Sequence, residues 1–512
     1  MYVVRSVSRS VALSSAVVAL AVACGARSPE TQTTATTGAV GEPPSAGGPN
    51  GTSGPSGGAS SGGAASSSTP GAATGGSGTS DGDTEAPPVP YQHFDVNHIL
   101  STGQSNAVAN DGKPVLSTTQ PYGNLMFDSG IIPAASCDSN GCSIYQRPTA
   151  LVPLVEGDTF FYAIETMSAG LANEASKLAK EKILVGTAHP THDILVSLHG
   201  RSGNSYSCLR KGGCAWWPGM SYVKPFDDAM MEVTDALALS KAAGKSYVVR
   251  AATAIHGEHD HYAASDGASL FPLPGTDGTS IIHDYGEGLE EWQRDYESSV
   301  KAITGQSVPV PLFVSQYSHW NNVPTTVIAY EQLAAHVRSK GKVIVVGPTY
   351  VLPYSDDCLH FTGHGERHLG EYFAKAYARV VLEGRKWEPL RPKTVTRAGN
   401  VVTAKFVVPK PPLVIDTQHV TDPGSYGFEF FDDSGAPPAI TAVTLSGPDT
   451  VTVTLARAPL GGNQRLRYAY TFHGCGGSGT IARGNLRDSD DTPSQYGYDL
   501  WNWAVHFDEP VP

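Results

Sequence analysis

Three residues in this chain have the types and surroundings needed for acyl transfer. Ser105 stands in Gly103-Gln104-Ser105-Asn106, directly after the apolar run Val96 to Thr102. A glycine just before a serine, at the end of a buried strand, exposes a hydroxyl at the edge of a sheet. Far downstream, Asp357-Cys358-Leu359-His360 puts a carboxylate three residues before an imidazole. A serine hydroxyl is a weak nucleophile until a base takes its proton, and an acid behind the base fixes its tautomer and stabilises the imidazolium. Ser105, His360 and Asp357 are therefore expected to act as nucleophile, base and orienting acid. Each also has a plain structural use, the serine as a helix N-cap and the Asp–His pair as a loop hydrogen bond. A tetrahedral intermediate further needs N–H donors aimed at its oxyanion. The turn Gly200-Arg201-Ser202-Gly203-Asn204 supplies them at Gly203 or Gly200, beside the amide of Ser105.

These residues need elements to hold them. Five short runs rich in Val, Ile and Leu read as strands covered on both faces: Val96–Thr102, Ile194–Leu198, Ser246–Ile255, Pro311–Gln316 and Lys342–Val346. Helical patterns lie between and after them, at Gly170–Ile183, Pro225–Ala243, Gly286–Ile303, Thr325–Ser339 and Gly363–Leu382. The alternation predicts an α/β fold, a three-layer sandwich with a five-stranded parallel sheet, over residues 89–388. Ligands of such sheets bind at the carboxyl ends of the strands. Ser105, the Gly200–Asn204 turn, His256-Gly257-Glu258-His259-Asp260, Tyr317-Ser318-His319-Trp320 and Asp356–His360 each follow a strand. Residues 389–512 carry β-branched and alternating runs between Gly, Pro and Asp turns, and read as a small all-β accessory domain.

The Gly-Gln-Ser-Asn and Asp-x-x-His blocks resemble those of the SGNH hydrolases, and more narrowly the sialate O-acetylesterase and acetylxylan esterase branch of carbohydrate esterases. The resemblance spans about residues 95–385. It implies a flavodoxin-like fold, Ser105 as nucleophile, His360 as general base, Asp357 as orienting acid, and the glycine turn near Gly203 as part of the oxyanion hole. It also implies that no cofactor is used. The third block departs from that branch, which reads Trp-x-Gln-Gly-Glu-x-Asp. Here the stretch is Ala254-Ile255-His256-Gly257-Glu258-His259-Asp260, with His256 where the amide donor is expected. A neutral histidine can donate from one nitrogen, and Asn204 is a substitute donor.

Tyr206, Trp216, Trp217 and Trp320 lie in or near the same loops, where aromatic faces suit stacking on sugar rings; packing is their ordinary use. Arg201 can meet a sugar carboxylate bidentately or serve as a surface residue. His256, His259 and His261 with Glu258 and Asp260 invite a metal reading, but no zinc-protease helix pattern is present and none is expected to bind metal.

The chain has 512 residues, and its first part is not globular in composition. Residues 1–24 resemble a bacterial lipoprotein signal peptide, with Arg5 and Arg9, the apolar run Val11 to Ala23, and Cys24 as the lipidation site. Residues 25–88 are mostly Gly, Ser, Thr, Ala and Pro, too poor in large apolar groups to offset chain entropy, and read as a disordered linker. Seven cysteines are present; with Cys24 lipidated, six remain. Proximity pairs Cys137 with Cys142 and Cys208 with Cys214, and elimination leaves Cys358 with Cys475, which would tie the Asp–His loop to the C-terminal region. The formal charge of −13 argues against a nucleic-acid partner.

The expectation is an exported lipoprotein of the cell envelope, held to a membrane only through its lipid, that removes acetyl groups from a carbohydrate by a serine mechanism. The alternatives are a non-catalytic carbohydrate-binding or adhesion lipoprotein on the same scaffold, a metal-dependent hydrolase using the histidine cluster, and a lipase.

Overall fold

The computed structural model describes residues 87–133, 137–138, 141–142, 145–157, 164–213, 224–265, 270–319 and 327–512. The central sheet contains β1 (Val96–Gly103), β2 (Leu125–Phe127), β3 (Leu151–Pro153), β4 (Ile194–Leu198), β5 (Tyr247–Ile255), β6 (Leu312–Gln316) and β7 (Val343–Pro348). Its spatial order is β7-β6-β5-β1-β4-β2-β3. The five long strands are the five apolar runs, and all are parallel, with Ile99 of β1 opposite Val196 of β4 on one side and Ala251 of β5 on the other. Their residues are almost wholly buried, as continuous apolar runs require. The sheet is wider than expected by two three-residue edge strands, β2 beside β4 and β3 antiparallel to β2. Runs that short carry no periodicity of their own.

Helices α1 (Met167–Leu178), α2 (Pro225–Ala242), α3 (Glu258–Ser265), α4 (Tyr285–Thr304), α5 (Ile328–Ser339) and α6 (Gly363–Tyr377) surround the sheet. Their ends follow local chemistry. Asp284 caps α4 by accepting from the Glu287 N–H, Gly305 ends it in a left-handed turn, and Thr362 caps α6 by accepting from Gly365. Helix α3 carries Glu258, His259, Asp260 and His261 of the histidine run. Among the described residues no helix is long and apolar enough to cross a membrane.

The chain leaves β1 to build β4 on one side, then returns to build β5, β6 and β7 on the other. The order thus reverses at β1, the point at which open α/β sheets place ligands outside the carboxyl ends of their strands. Residues 391–512 form small antiparallel sheets: one of four strands containing Arg391–Ala398 and Val401–Val407, one of three ending in Phe507–Pro510, and a hairpin of Phe472–Gly474 with Thr480–Ala482. This region is bonded into the α/β part through buried groups. Gln316 and His506 exchange hydrogen bonds of 2.7 and 3.1 Å, and Lys375 pairs with Asp490 at 2.8 Å. Gly82–Pro512 is accordingly one compact unit.

Candidate active site

The Ser105 turn is held by its own backbone. Gly103 adopts φ +132°, and a Cβ there would stand 2.1 Å from the Ile255 carbonyl oxygen of β5. Only glycine permits that approach, which lets the chain break sharply out of β1. The Gln104 N–H then donates to Ile255 O at 3.2 Å, and the Ser105 carbonyl accepts from Asn110 N–H at 3.0 Å. Ser105 itself is 6% exposed. No hydrogen bond joins its hydroxyl to His360 or to another described residue.

The Asp–His loop follows β7. His360 Nδ1–H donates to Asp357 Oδ2 at 2.6 Å, and Asp357 Oδ1 accepts from the Leu359 and His360 N–H groups at 2.8 and 2.9 Å. The three-residue spacing makes an Asx-type turn, so the same carboxylate shapes the loop and holds the ring. Burial alone would raise the Asp357 carboxyl, but the hydrogen bonds from His360, Leu359 and Ser355 hold it well below the ordinary range. Burial likewise opposes charge on His360. The hydrogen bond and charge of Asp357, with Asp111 and Glu258 nearby, outweigh it and raise the imidazole above its ordinary value.

Asn106 brings the two segments together. Its Nδ2 donates to Leu359 O at 3.0 Å and to Glu258 Oε1 at 2.8 Å. The residue after the serine is therefore clamped to the residue before the histidine, 253 positions away. Glu258, at the start of α3, is buried; its Oε2 has no partner, and burial raises its carboxyl. Helix α3 also touches the Ser105 turn, where the His259 N–H donates to Gln104 Oε1 at 3.1 Å. Behind the Asp–His loop, His319 Nδ1 donates to Cys358 O at 2.7 Å, while the C-terminal hairpin reaches it through Ser478 N–H to Asp356 O at 2.7 Å. Cys358 and Cys475 stand at disulfide distance, with Cα atoms 6.2 Å apart.

The oxyanion candidates divide. Gly203 sits in the turn after β4 at φ +66°, and Arg201 N–H donates to Gly103 O at 2.9 Å, so the Gly200–Asn204 turn lies against the Ser105 turn. His256 is buried with both ring nitrogens engaged, Nε2 with Asn204 O at 3.0 Å and Nδ1 with the Tyr285 hydroxyl at 2.8 Å, and burial lowers it to about 4. Asn204 Nδ2 donates to Ser202 O at 3.0 Å, closing its own turn.

Two expected sugar contacts lie in the core. The Arg201 guanidinium meets Asp228 at 2.6 Å, and both are buried. Tyr206 is fully buried with its hydroxyl on Glu291 at 2.5 Å. Trp216, Trp217, Trp320, Cys24 and Cys214 lie outside the described residues. Cys137 and Cys142 are backbone partners in a two-stranded register. The histidine run does not converge: His261 is buried with Nε2 unpartnered, whereas His259 is exposed. Among the described residues, the acids and histidine whose ligand atoms do converge, within 4.8 Å of one another, are Asp111, Asp357 and His360.

Asn106, Asp111 and Ser355 carried no role in the sequence analysis, whereas the hairpin was foreseen only through Cys475. Asn106 belongs to the quoted Gly-Gln-Ser-Asn block; Asp111 and Ser355 had no local signal.

Taken together, fold and site define an α/β protein with a cluster of polar side chains at the carboxyl edge of its sheet. No family profile and no curated protein matches the sequence. Solved structures similar to this chain include a carbohydrate acetylesterase from Xanthomonas citri, at 11% identity and TM-score 0.44, covering 81% of this chain and 80% of that one. A carbohydrate acetylesterase from Sinorhizobium meliloti matches at 11% identity and TM-score 0.27, covering 55% of this chain and 98% of that one. An aryl esterase from M. smegmatis matches at 14% identity and TM-score 0.27, covering 55% of this chain and 97% of that one. At these identities and TM-scores the likeness carries no chemistry across, which rests on the residues described above.

Proposed function

We propose that this protein is a serine esterase that removes acetyl groups from a carbohydrate. One observation carries the reading: an Asp357–His360 pair at 2.6 Å, on a loop clamped through Asn106 to the turn that bears Ser105. In this reading the Ser105 Oγ attacks the ester carbonyl while His360 takes its proton through Nε2. Asp357 stays ionised and holds the ring. The backbone N–H groups of Ser105 and Gly203 receive the oxyanion, because the His256 nitrogens are already engaged. The C–O bond to the sugar breaks, His360 passes its proton to the departing hydroxyl, and water then releases acetate from Ser105 by the same route. The Ser105–His360 hydrogen bond forms on substrate binding, since such bonds are often longer in free enzymes. Export and anchoring through Cys24 belong to the same proposal.

The test is Ser105→Ala. The variant should lose hydrolysis of p-nitrophenyl acetate and of acetylated xylo-oligosaccharides while keeping the wild-type circular dichroism spectrum and melting temperature. Retained activity would reject the assignment.

A further inference from the structure

More carboxylate surrounds the Asp357–His360 pair than the pair uses. Asp111 ends the turn that begins at Ser105, and it is exposed. One ligand atom each of Asp111, Asp357 and His360 lie within 4.8 Å of one another. The Ser355 hydroxyl stands 2.7 Å from Asp357 Oδ1 and 3.1 Å from Asp111 Oδ2, so one proton serves two carboxylates. Asp356, also exposed, is next in the loop.

The cations of the strand-end loops do not offset this charge. Arg201 pairs with Asp228 at 2.6 Å, Arg210 with Glu291 at 2.9 Å and Lys224 with Asp227 at 3.9 Å, and the exposed Lys211 acts on Asp295. Lys113, two residues beyond Asp111, is itself engaged. The stretches 256–270, 317–327, 349–362 and 472–482 contain no lysine or arginine, and neither do residues 214–223. The chain as a whole adds a formal charge of −13. An anion approaching His360 meets Asp111, Asp356 and Asp357, and among the described residues the arginines of these loops are engaged elsewhere: Arg201 is buried in its ion pair with Asp228, and Arg483 donates to Thr421 O and Gly474 O.

Resting on the esterase reading above, we infer that the substrate is an O-acetylated neutral carbohydrate, and that Asp111 is a specificity residue that excludes acidic sugars. Asp111 acts by repulsion at the mouth of the site and takes no part in bond making.

The test compares three acetylated glycosides that differ only at C6: methyl glucoside, methyl glucuronoside as its carboxylate, and the uncharged methyl ester of that glucuronoside. Acetate release is measured with EDTA present, so that no stray cation neutralises the carboxylates. At low ionic strength the two neutral compounds should show similar kcat/KM. The carboxylate should fall about tenfold below them, the scale expected for like charges several ångströms apart in a half-solvated mouth. The ratio should shrink in about 0.5 M salt, which screens charges beyond a few ångströms. It should shrink about threefold in Asp111→Asn, and being a ratio within one enzyme it is insensitive to any change in basal rate.

A ratio near one, or a preference for the carboxylate, overturns the proposal and leaves the esterase reading standing. So does a tenfold ratio that ignores both salt and Asp111→Asn, because shape would then be the cause. If none of the three releases acetate while p-nitrophenyl acetate is still hydrolysed, the carbohydrate reading itself fails.

Discussion

His360 is where burial and charge oppose each other most directly. A buried imidazole should lose its proton easily, yet Asp357 at 2.6 Å, with Asp111 and Glu258, keeps the proton on and raises the group above its ordinary value. A general base must be neutral to act. The acid limb of kcat/KM against pH should therefore have its midpoint above about 6.5, the ordinary histidine value. Asp357→Asn removes the main source of the shift and leaves the ring free to adopt the wrong tautomer. It should move that midpoint down and lower kcat by roughly 10³–10⁴-fold, the scale seen when a triad acid loses its charge. A midpoint that stays put in the variant would show that Asp357 does not govern His360. The Asp–His pair was legible because its two members are three residues apart and make their own turn. The clamp from Asn106 to Leu359 was not, since nothing local links positions separated by 253 residues. Arg201 shows the same limit from the other side. Its type suits a sugar carboxylate, but Asp228, 27 residues on, decides that it is a core residue.

At the scale of elements, the strands and the long helices were readable because each buries a continuous run or face, which leaves a periodic trace in the letters. Helix α3 left none. Its sequence, Glu-His-Asp-His-Tyr-Ala-Ala-Ser, is mostly polar, and it is anchored by specific contacts such as His259 to Gln104 and Glu258 to Asn106. The hairpin of Phe472–Gly474 and Thr480–Ala482 was legible only through Cys475, whose pairing with Cys358 was expected to tie the Asp–His loop to the C-terminal region. It supports the Asp–His loop at Asp356, where Ser478 donates, and at Cys358, where Cys475 stands opposite. A Cβ on Gly479 would stand 2.2 Å from Asp357 O, so the hairpin backbone lies directly on the loop. Cys358 holds the left-handed conformation, φ +55°, that a non-glycine residue keeps only where its surroundings impose it. Cys475→Ser should therefore relax the loop and misplace Asp357. The expected result is a kcat reduced about tenfold with KM little changed, consistent with the steep cost of small misplacements of catalytic groups. Unchanged kcat in the variant, with the wild-type protein shown by mass spectrometry to contain the Cys358–Cys475 cross-link, would rule out a positioning role for the hairpin.

The molecule as a whole carries a second electrostatic pattern, set by how many ionisable groups its core encloses. Burial raises Glu174 to about 8, and Asp260 and Glu331 to about 7, and it raises Glu366 as well, both of whose carboxyl oxygens lack a partner. A carboxyl whose folded value is raised holds a proton that the unfolded chain releases. Its contribution to stability is complete below the unfolded value of about 4 and is lost as pH rises through the folded value. Burial lowers His256, His261, His319 and His506 to about 4, so these groups cost stability as pH falls below about 6.5 and are silent above it. His360, raised, acts in the same direction as the acids. Between pH 6.5 and 8.5 the buried acids and His360 pull together, and the melting temperature should fall as pH rises. Glu174 makes the sharpest test, because it joins the helical layer to the C-terminal region: its Oε2 accepts from Gln495 N–H at 2.7 Å, while Oε1 is buried without a partner. Glu174→Gln keeps the acceptor and removes the proton, so its melting temperature should decline less steeply over the same range. A wild-type melting temperature that climbs from pH 6.5 to 8.5 would mean that water or a counter-charge reaches these carboxyls, and that the core is not as dry as its packing implies.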